Sequence, residues 1–109
     1  MSFKINNNAD VSGCLQGYVT ASYSKMFELF GEPVEADGYK VSGEWVFEHE
    51  ATGECVYVYD WKATELYDRM NPTLTQFKQM SSFTFNVGAE NKAIATAFIT
   101  WLEDRLLTP

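Results

Sequence analysis

Two aromatic-rich segments of alternating polarity, joined by a turn sequence, constrain the fold of this chain more than any other feature. In the first segment Trp45 and Phe47 occupy alternate positions flanked by glutamates, and in the second Tyr57 and Tyr59 alternate with valines. The turn sequence between them, residues 50–53, ends in glycine, as hairpin turns often do. Because successive side chains of a strand point to opposite faces, the pattern predicts a β-hairpin with the aromatic residues of both strands on one buried face.

Two further segments alternate in the same way and predict two more strands. Residues 14–21 place Leu15, Val19 and Ala21 on one side. Residues 83–87 place two phenylalanines and a valine on one side, and Gly88 ends the strand. Both patterns are typical of strands with one face in the core and the other in solvent.

Two short helices are predicted from their capping residues. Ser22 or Ser24 caps the first, which ends before Gly31 and the proline that follows. Thr73 caps the second, over residues 74–80.

A longer helix is predicted over residues 89–107 from an apolar stripe at helical spacing. The stripe consists of Ile94, Ala97, Phe98, Trp101 and Leu102. We expect this stripe to cover one face of the sheet, with Trp101 buried like Trp45 of the hairpin.

The order of these elements predicts an α+β fold. It consists of a four-stranded, mainly antiparallel sheet with a central β-hairpin, packed against a long C-terminal helix and a short N-terminal helix. The 109 residues suffice for one core and not for two. Residues 1–10 are mostly polar and predict a flexible arm or an edge segment, and residues 11–109 form the single domain.

The charge of the chain is acidic and unevenly distributed. Asp and Glu number 15 against 8 Lys and Arg, for a net charge of -7, and eleven of the acids lie within residues 28–68 with only two lysines. Because phosphate binding needs clustered positive charge, this balance argues against nucleic acids and anionic membranes as partners. It favours a protein with a basic surface, and the simpler alternative is a solvated, solubilising face. The expected acidic partner surface consists of Glu44, Glu48, Glu50 and Glu54.

The cysteines and the N-terminal sequence bear on the cellular compartment. The chain begins with neither a secretory signal nor a long apolar stretch, which predicts a cytoplasmic protein. Cys14 and Cys55 lack the spacing of a zinc site. We expect both to be buried thiols in strands, with a disulfide or a reactive role as the alternatives, and we expect neither a metal nor a cofactor.

The sequence lacks the usual marks of an enzyme. His49 lies between Glu48 and Glu50 beside the hairpin turn, where we expect a surface turn residue. The glycines do not cluster into a phosphate-binding loop, and no known nucleophile or metalloprotease motif occurs. The expected set of catalytic residues is therefore empty.

The segment that follows the hairpin combines aromatic rings with positive charge. Trp61 and Tyr67 offer flat surfaces for a planar ligand, and Lys62 and Arg69 could hold its phosphate. The simpler alternative is a strand end whose rings complete the core and whose charges pair with acids such as Asp60. The candidate binding residues in this segment are Tyr59, Asp60, Trp61, Lys62, Tyr67 and Arg69.

Four stretches of the sequence carry a resemblance to a known group of proteins. They are FGEP at residues 30–33, DGYKVSGEWVFE at 37–48, VYDWKATELYD at 58–68 and FNVG at 85–88. Across about residues 20–107 the chain resembles small, mostly uncharacterised proteins encoded by bacteriophages. Related segments carry a histidine where this chain has Asn86, which adds Asn86 to the candidate binding residues. The resemblance implies a counter-defence or host-takeover factor that acts by binding, and it implies no catalytic residues.

Three functional hypotheses follow, in order. The first is a non-enzymatic, phage-type acidic protein that antagonises a host defence protein by occupying its basic site. The second is a sponge that sequesters a small nucleotide-like ligand in the loop after the hairpin. The third is a small enzyme. The oligomeric state stays open, and a homo-oligomer is compatible with all three.

Overall fold

A computed structural model of the chain describes residues 2–7, 13–34, 43–60 and 70–107. Within these ranges the strands form one antiparallel sheet in the order β1-β3-β4-β5-β2. The expected α+β fold, with an antiparallel sheet and a C-terminal helix, is confirmed. The elements are β1 (Phe3–Ile5), β2 (Cys14–Ala21), α1 (Tyr23–Phe30), β3 (Glu44–His49), β4 (Cys55–Tyr59), α2 (Leu74–Gln79), β5 (Phe83–Ala89) and α3 (Lys92–Leu107).

The sheet has five strands rather than the predicted four. The additional strand, β1, lies within residues 1–10, which we predicted to be either a flexible arm or an edge segment. It pairs with β3 at one edge of the sheet. Its position is fixed by Phe3, which is buried against the rings of Phe98 and Trp101. Three residues are too few to show an alternating pattern, so no local pattern predicts this strand.

The predicted hairpin is present, but its aromatic residues do not share one face. On the core face, Trp45 lies opposite Val58 and Phe47 lies opposite Val56. The two tyrosines of β4 therefore lie on the other face of the sheet. Both faces of β4 carry apolar or aromatic side chains, so polarity alone did not determine which face is buried, and the pairing register decided it.

All three helices lie on the face of the sheet that carries Trp45, and together they enclose the core. The contacts between rings that establish this are Tyr23 of α1 with Trp45, Phe77 of α2 with Phe85, and Phe98 of α3 with Phe47. Trp45 is 1% exposed, and its indole N–H donates to the carbonyl of Gly31 at 2.8 Å. Trp101 is only partly buried, contrary to expectation, because it lies at the border of the core beneath the guanidinium of Arg105.

The helix ends follow the capping residues, with one shift. Ser22 caps α1 by accepting from the backbone N–H of Lys25, and Thr73 caps α2 in a capping box. Helix α3 begins at Lys92 rather than at residue 89, because β5 does not end at Gly88 and continues to Ala89. A side-chain oxygen of Asn91 then accepts from the N–H of Ile94, which caps α3.

Strand β2 departs from simple alternation near its start. A register shift between Leu15 and Gly17 interrupts its pairing with β5, and Leu15 is 42% exposed instead of facing the core. The cysteines begin β2 and β4 as free thiols, and they are not buried as expected: Cys14 is exposed and Cys55 is half-buried. In the ranges that the structure covers, none of the helices has the length and apolar character that crossing a membrane requires.

Candidate functional site

Four side chains form a row across four strands on the sheet face opposite the helices. Tyr18 of β2 lies opposite Asn86 of β5, Asn86 lies opposite Tyr59 of β4, and Tyr59 lies opposite Glu44 of β3. Directly opposed residues of antiparallel strands point to the same face. These four side chains are therefore neighbours across the sheet, in the spatial order β2, β5, β4, β3. With strands about 4.8 Å apart, this tyrosine row is about 14 Å long.

A second tyrosine widens the row into a surface. The rings of Tyr57 and Tyr59 are stacked, with centroids 5.3 Å apart and an angle of 25° between the planes. Tyr57 lies opposite Gly88, and a Cβ placed on Gly88 would stand 2.3 Å from Cζ of the ring. The glycine therefore makes room for the ring. We call the tyrosine row together with Tyr57 and Gly88 the tyrosine face.

Burial favours the neutral form of two phenols on the tyrosine face. Burial raises the pKa of Tyr57, and the neighbouring Tyr59, Cys14 and Glu44 raise it further. Burial also raises the pKa of Tyr59, against which a hydrogen bond to Asn86 acts by lowering it. Both phenols are therefore neutral at pH 7 and can donate hydrogen bonds.

Glu44 ends the row with a carboxyl group that is partly removed from water. It is half-buried, and burial raises its pKa above the ordinary value of a glutamate. A carboxylate in such a place gains more from a cationic partner than one in open solvent does, because the surrounding dielectric is lower.

The other members of the expected acidic surface lie in two places. Glu48 is four residues along β3 from Glu44, on the same face, and its carboxylate is 3.4 Å from the ammonium of Lys4. Glu50 and Glu54 lie at the turn end of the hairpin, where Glu54 accepts from the side-chain amide of Asn91 at 3.3 Å. Of these four glutamates, Glu44 is the one that lies directly opposite a ring of the tyrosine row.

Of the seven candidate binding residues, three are described. Tyr59 and Asn86 meet in the tyrosine row, as above. Asp60 is 2% exposed, and its Oδ1 accepts from the backbone N–H of Gly43 at 3.2 Å. It thereby connects the end of β4 to the residue before β3. The remaining four, Trp61, Lys62, Tyr67 and Arg69, lie outside the described residues.

His49 has a structural role at the hairpin turn. Its Nδ1 accepts from the backbone N–H groups of Ala51 and Thr52, each at 3.2 Å, and its ring meets Phe3 edge to face at 5.0 Å. His49 is the last residue of β3 and is 8% exposed, so the expectation of a surface turn residue is wrong. The closed turn and the adjacent strand β1 bury the His49 side chain. In the described ranges, no three His, Cys, Asp or Glu side chains come together as metal ligands would.

Comparison with known proteins adds no relative. A scan against protein-family models finds no match, and a search of curated proteins finds no significant similarity.

The sequence pointed to Tyr59 and Asn86 but missed Tyr18, Tyr57 and Gly88 as parts of the same surface. The available signal lay in the second hairpin strand, where the tyrosines alternate with valines that can face the core in their place. Once Trp45 and Phe47 are assigned to the core, a register that places valines opposite them puts both β4 tyrosines outside. The pairing of β2 with β5, which brings Tyr18 to Asn86, joins residues far apart in the chain and has no local signature.

Proposed function

We propose that this chain is a non-enzymatic binding protein that occupies a basic site on another protein through its tyrosine face. The observation that carries the proposal is the tyrosine row, in which two phenol rings and an amide lead to the partly buried carboxyl of Glu44. Tyrosine is the residue type that protein interfaces favour, because it offers a rigid ring and a polar tip.

The chemistry of the row suits an arginine side chain of the partner. A guanidinium group stacks on aromatic rings and donates two parallel hydrogen bonds to a carboxylate. Tyr59 supplies the ring and Glu44, directly opposite on the next strand, supplies the carboxylate. The Tyr59 ring and the Glu44 carboxyl are already partly shielded from water, so binding of the partner would remove little further water from them.

The net charge of the chain supports the same kind of partner. At -7, with most acids in residues 28–68, the protein would attract a basic surface over long range and raise the rate of encounter. Together with the resemblance to bacteriophage proteins, this supports a role in the host cytoplasm as an antagonist of a defence protein whose basic site normally binds nucleic acid or nucleotide.

Calorimetric titration of defined peptides tests the proposal. The probes are a peptide of alternating arginine and glycine, its lysine counterpart and a neutral citrulline counterpart. We expect the arginine peptide to bind more tightly than the lysine peptide, the neutral peptide not to bind, and Glu44→Gln and Tyr59→Ala each to weaken binding about tenfold. Tyr59→Phe, which keeps the ring, should retain most of the affinity and controls for folding.

The matched control for charge is Glu50→Gln, which removes an equal charge from the exposed turn. It should change the affinity by less than about twofold. An equal loss in Glu44→Gln and Glu50→Gln would mean that net charge, and not the tyrosine face, attracts the peptide, and the proposal would be wrong. Wild-type protein that ignores the arginine peptide but binds a member of a nucleotide panel would overturn it in favour of the sponge.

A further inference from the structure

Among the described strands, β2 forms the edge of the sheet opposite β1, and it is the longer of the two edges. It is eight residues long, whereas β1, at the other edge, has three. Natural edge strands are protected by short length, proline, charged side chains or bulges. The sequence of β2, CLQGYVTA, has neither proline nor a charged residue.

The protection that β2 does have covers only its first half. The register shift lies between Leu15 and Gly17, and the ammonium of Lys92 donates to the carbonyl of Gln16 at 3.3 Å. From Gly17 to Ala21 the pairing with β5 is regular. In the described part of the chain, no strand pairs with this half on the side away from β5.

The charge around β2 permits a second copy of this acidic chain to approach. The glutamates of the hairpin lie on β3 or at its turn, and β4 and β5 separate β3 from β2. Glu44 is about 14 Å from β2 along the tyrosine row, farther than the Debye length of about 10 Å at 0.1 M salt. Outside residues 28–68 the chain has four acids against six basic residues. The two glutamates of β3 are therefore too far from β2 to oppose pairing there.

We propose that two copies of this chain pair through the second half of β2, antiparallel about a two-fold axis near Val19. Tyr18 of one copy then lies opposite Thr20 of the other, and the two sheets continue into one sheet of ten strands. An uncharged strand suits this arrangement because a two-fold axis brings each side chain near its own copy. Tyr18, which is 57% exposed, gains cover at the junction.

The pairing would double the tyrosine face. A two-fold axis perpendicular to a sheet keeps equivalent faces on the same side, so the helices of both copies lie on one side and both tyrosine rows on the other. The two copies of Tyr18 then meet in the middle of one continuous surface. This inference goes beyond the binding function proposed above and does not depend on it.

Sedimentation velocity of the full chain at about 1 to 200 μM tests the pairing. We expect a dimer with Kd in the micromolar range, since a ladder of about five residue pairs is a small interface. Thr20→Lys should weaken the dimer about tenfold or more, because it places two like charges close to the two-fold axis. Tyr18→Lys should do the same, and serves where Thr20→Lys fails to fold.

Thr84→Lys is the matched control. Thr84 lies directly opposite Thr20 on β5, is exposed on the same face, and shares the 3.1 Å hydroxyl contact that either substitution removes. Thr84 lies one strand in from the edge, so Thr84→Lys should keep the dimer Kd within about threefold of the wild-type value. A wild-type chain that stays monomeric at the highest concentration would overturn the proposal, and so would an equal loss in the Thr20 and Thr84 variants.

Discussion

The ring of Tyr57 lies over Gly88 on the neighbouring strand, so close that residue 88 has no space for a Cβ. This relationship explains two features that polarity patterns do not. Strand β5 passes through the glycine instead of ending there, and Tyr57 is held beside Tyr59 in a stacked pair. An aromatic ring that covers a glycine on the next strand shields the exposed backbone from water and limits the ring's own freedom.

Gly88→Ala should therefore destabilise the protein by about 1 to 3 kcal/mol, as overpacking usually does. The cause is displacement of Tyr57, so the cost should shrink in a Tyr57→Ala background. Urea unfolding of the four members of this double-mutant cycle measures the coupling.

The control for this cycle is Gly53→Ala, at the hairpin turn. Gly53 has a φ of 78° and open space where a Cβ would be, so alanine there should cost about 1 to 2 kcal/mol from backbone strain alone. That cost should be the same with and without Tyr57. If the cost at Gly88 is equally independent of Tyr57, the ring moves aside freely and the tyrosine face is less rigid than we infer.

Local features of the fold were predictable from sequence because they depend on neighbouring residues. Strand β2, the hairpin, and the caps at Ser22 and Thr73 follow from alternation and capping chemistry. Features set by distant contacts were not. The three residues of β1 are a strand because Phe3 reaches α3, and Leu15 leaves the core because of a bulge that the alternating pattern does not reveal.

The candidate site shows the same division. Tyr59 and Asn86 were predicted separately, one from a strand end and the other from a resemblance, and nothing local indicated that they touch. Sheet topology makes them cross-strand partners and adds Tyr18 and Glu44 at either side. A binding surface assembled from four strands has no continuous motif, so sequence reasoning found only its parts.

The helix face can be checked by comparing two aromatic residues of α3. Phe98 is fully buried, and Phe98→Ala should cost about 3 to 5 kcal/mol. Trp101 is only partly buried and keeps contact with Arg105, so Trp101→Ala should cost less, despite the larger side chain. Denaturant unfolding of the two variants measures both, and a greater loss at Trp101 would show that the border of the core is assigned wrongly.

Alkaline pH should destabilise the protein through its half-buried tyrosines. The pKa values of Tyr57 and Tyr59 are raised in the folded state, chiefly by burial. The folded state then holds phenol protons that the unfolded state releases, so this stabilisation is complete below the unfolded pKa of about 10 and is lost as pH rises through the folded pKa. Tyr23, whose pKa burial also raises, contributes in the same direction.

The measurement is the free energy of unfolding between about pH 8 and pH 11, with Tyr57→Phe and Tyr59→Phe compared with the wild type. Each substitution removes an ionisable phenol and should make the decline shallower. Because the hydrogen bond to Asn86 lowers the pKa of Tyr59, Asn86→Ala should steepen the decline. A wild-type decline that neither tyrosine variant reduces would contradict the burial of these phenols.

Glu44 gives the last prediction, because its effects on stability and on binding should have opposite signs. Burial raises the folded pKa of its carboxyl group, so its contribution to stability is present below the unfolded pKa and is lost as pH rises through the folded pKa. At pH 7 the ionised carboxylate therefore opposes folding, and Glu44→Gln should raise the melting temperature there.

The gain in melting temperature should fade toward about pH 4, where the wild-type carboxyl is protonated. Glu50→Gln, at the exposed turn, removes an equal charge and controls for the change in net charge alone. If Glu44→Gln is more stable at pH 7 and also binds the arginine peptide less tightly, the carboxylate is kept at the expense of stability for the partner's cation. A variant that loses stability at pH 7 would mean that Glu44 holds the sheet together, and its place in the binding surface would need another explanation.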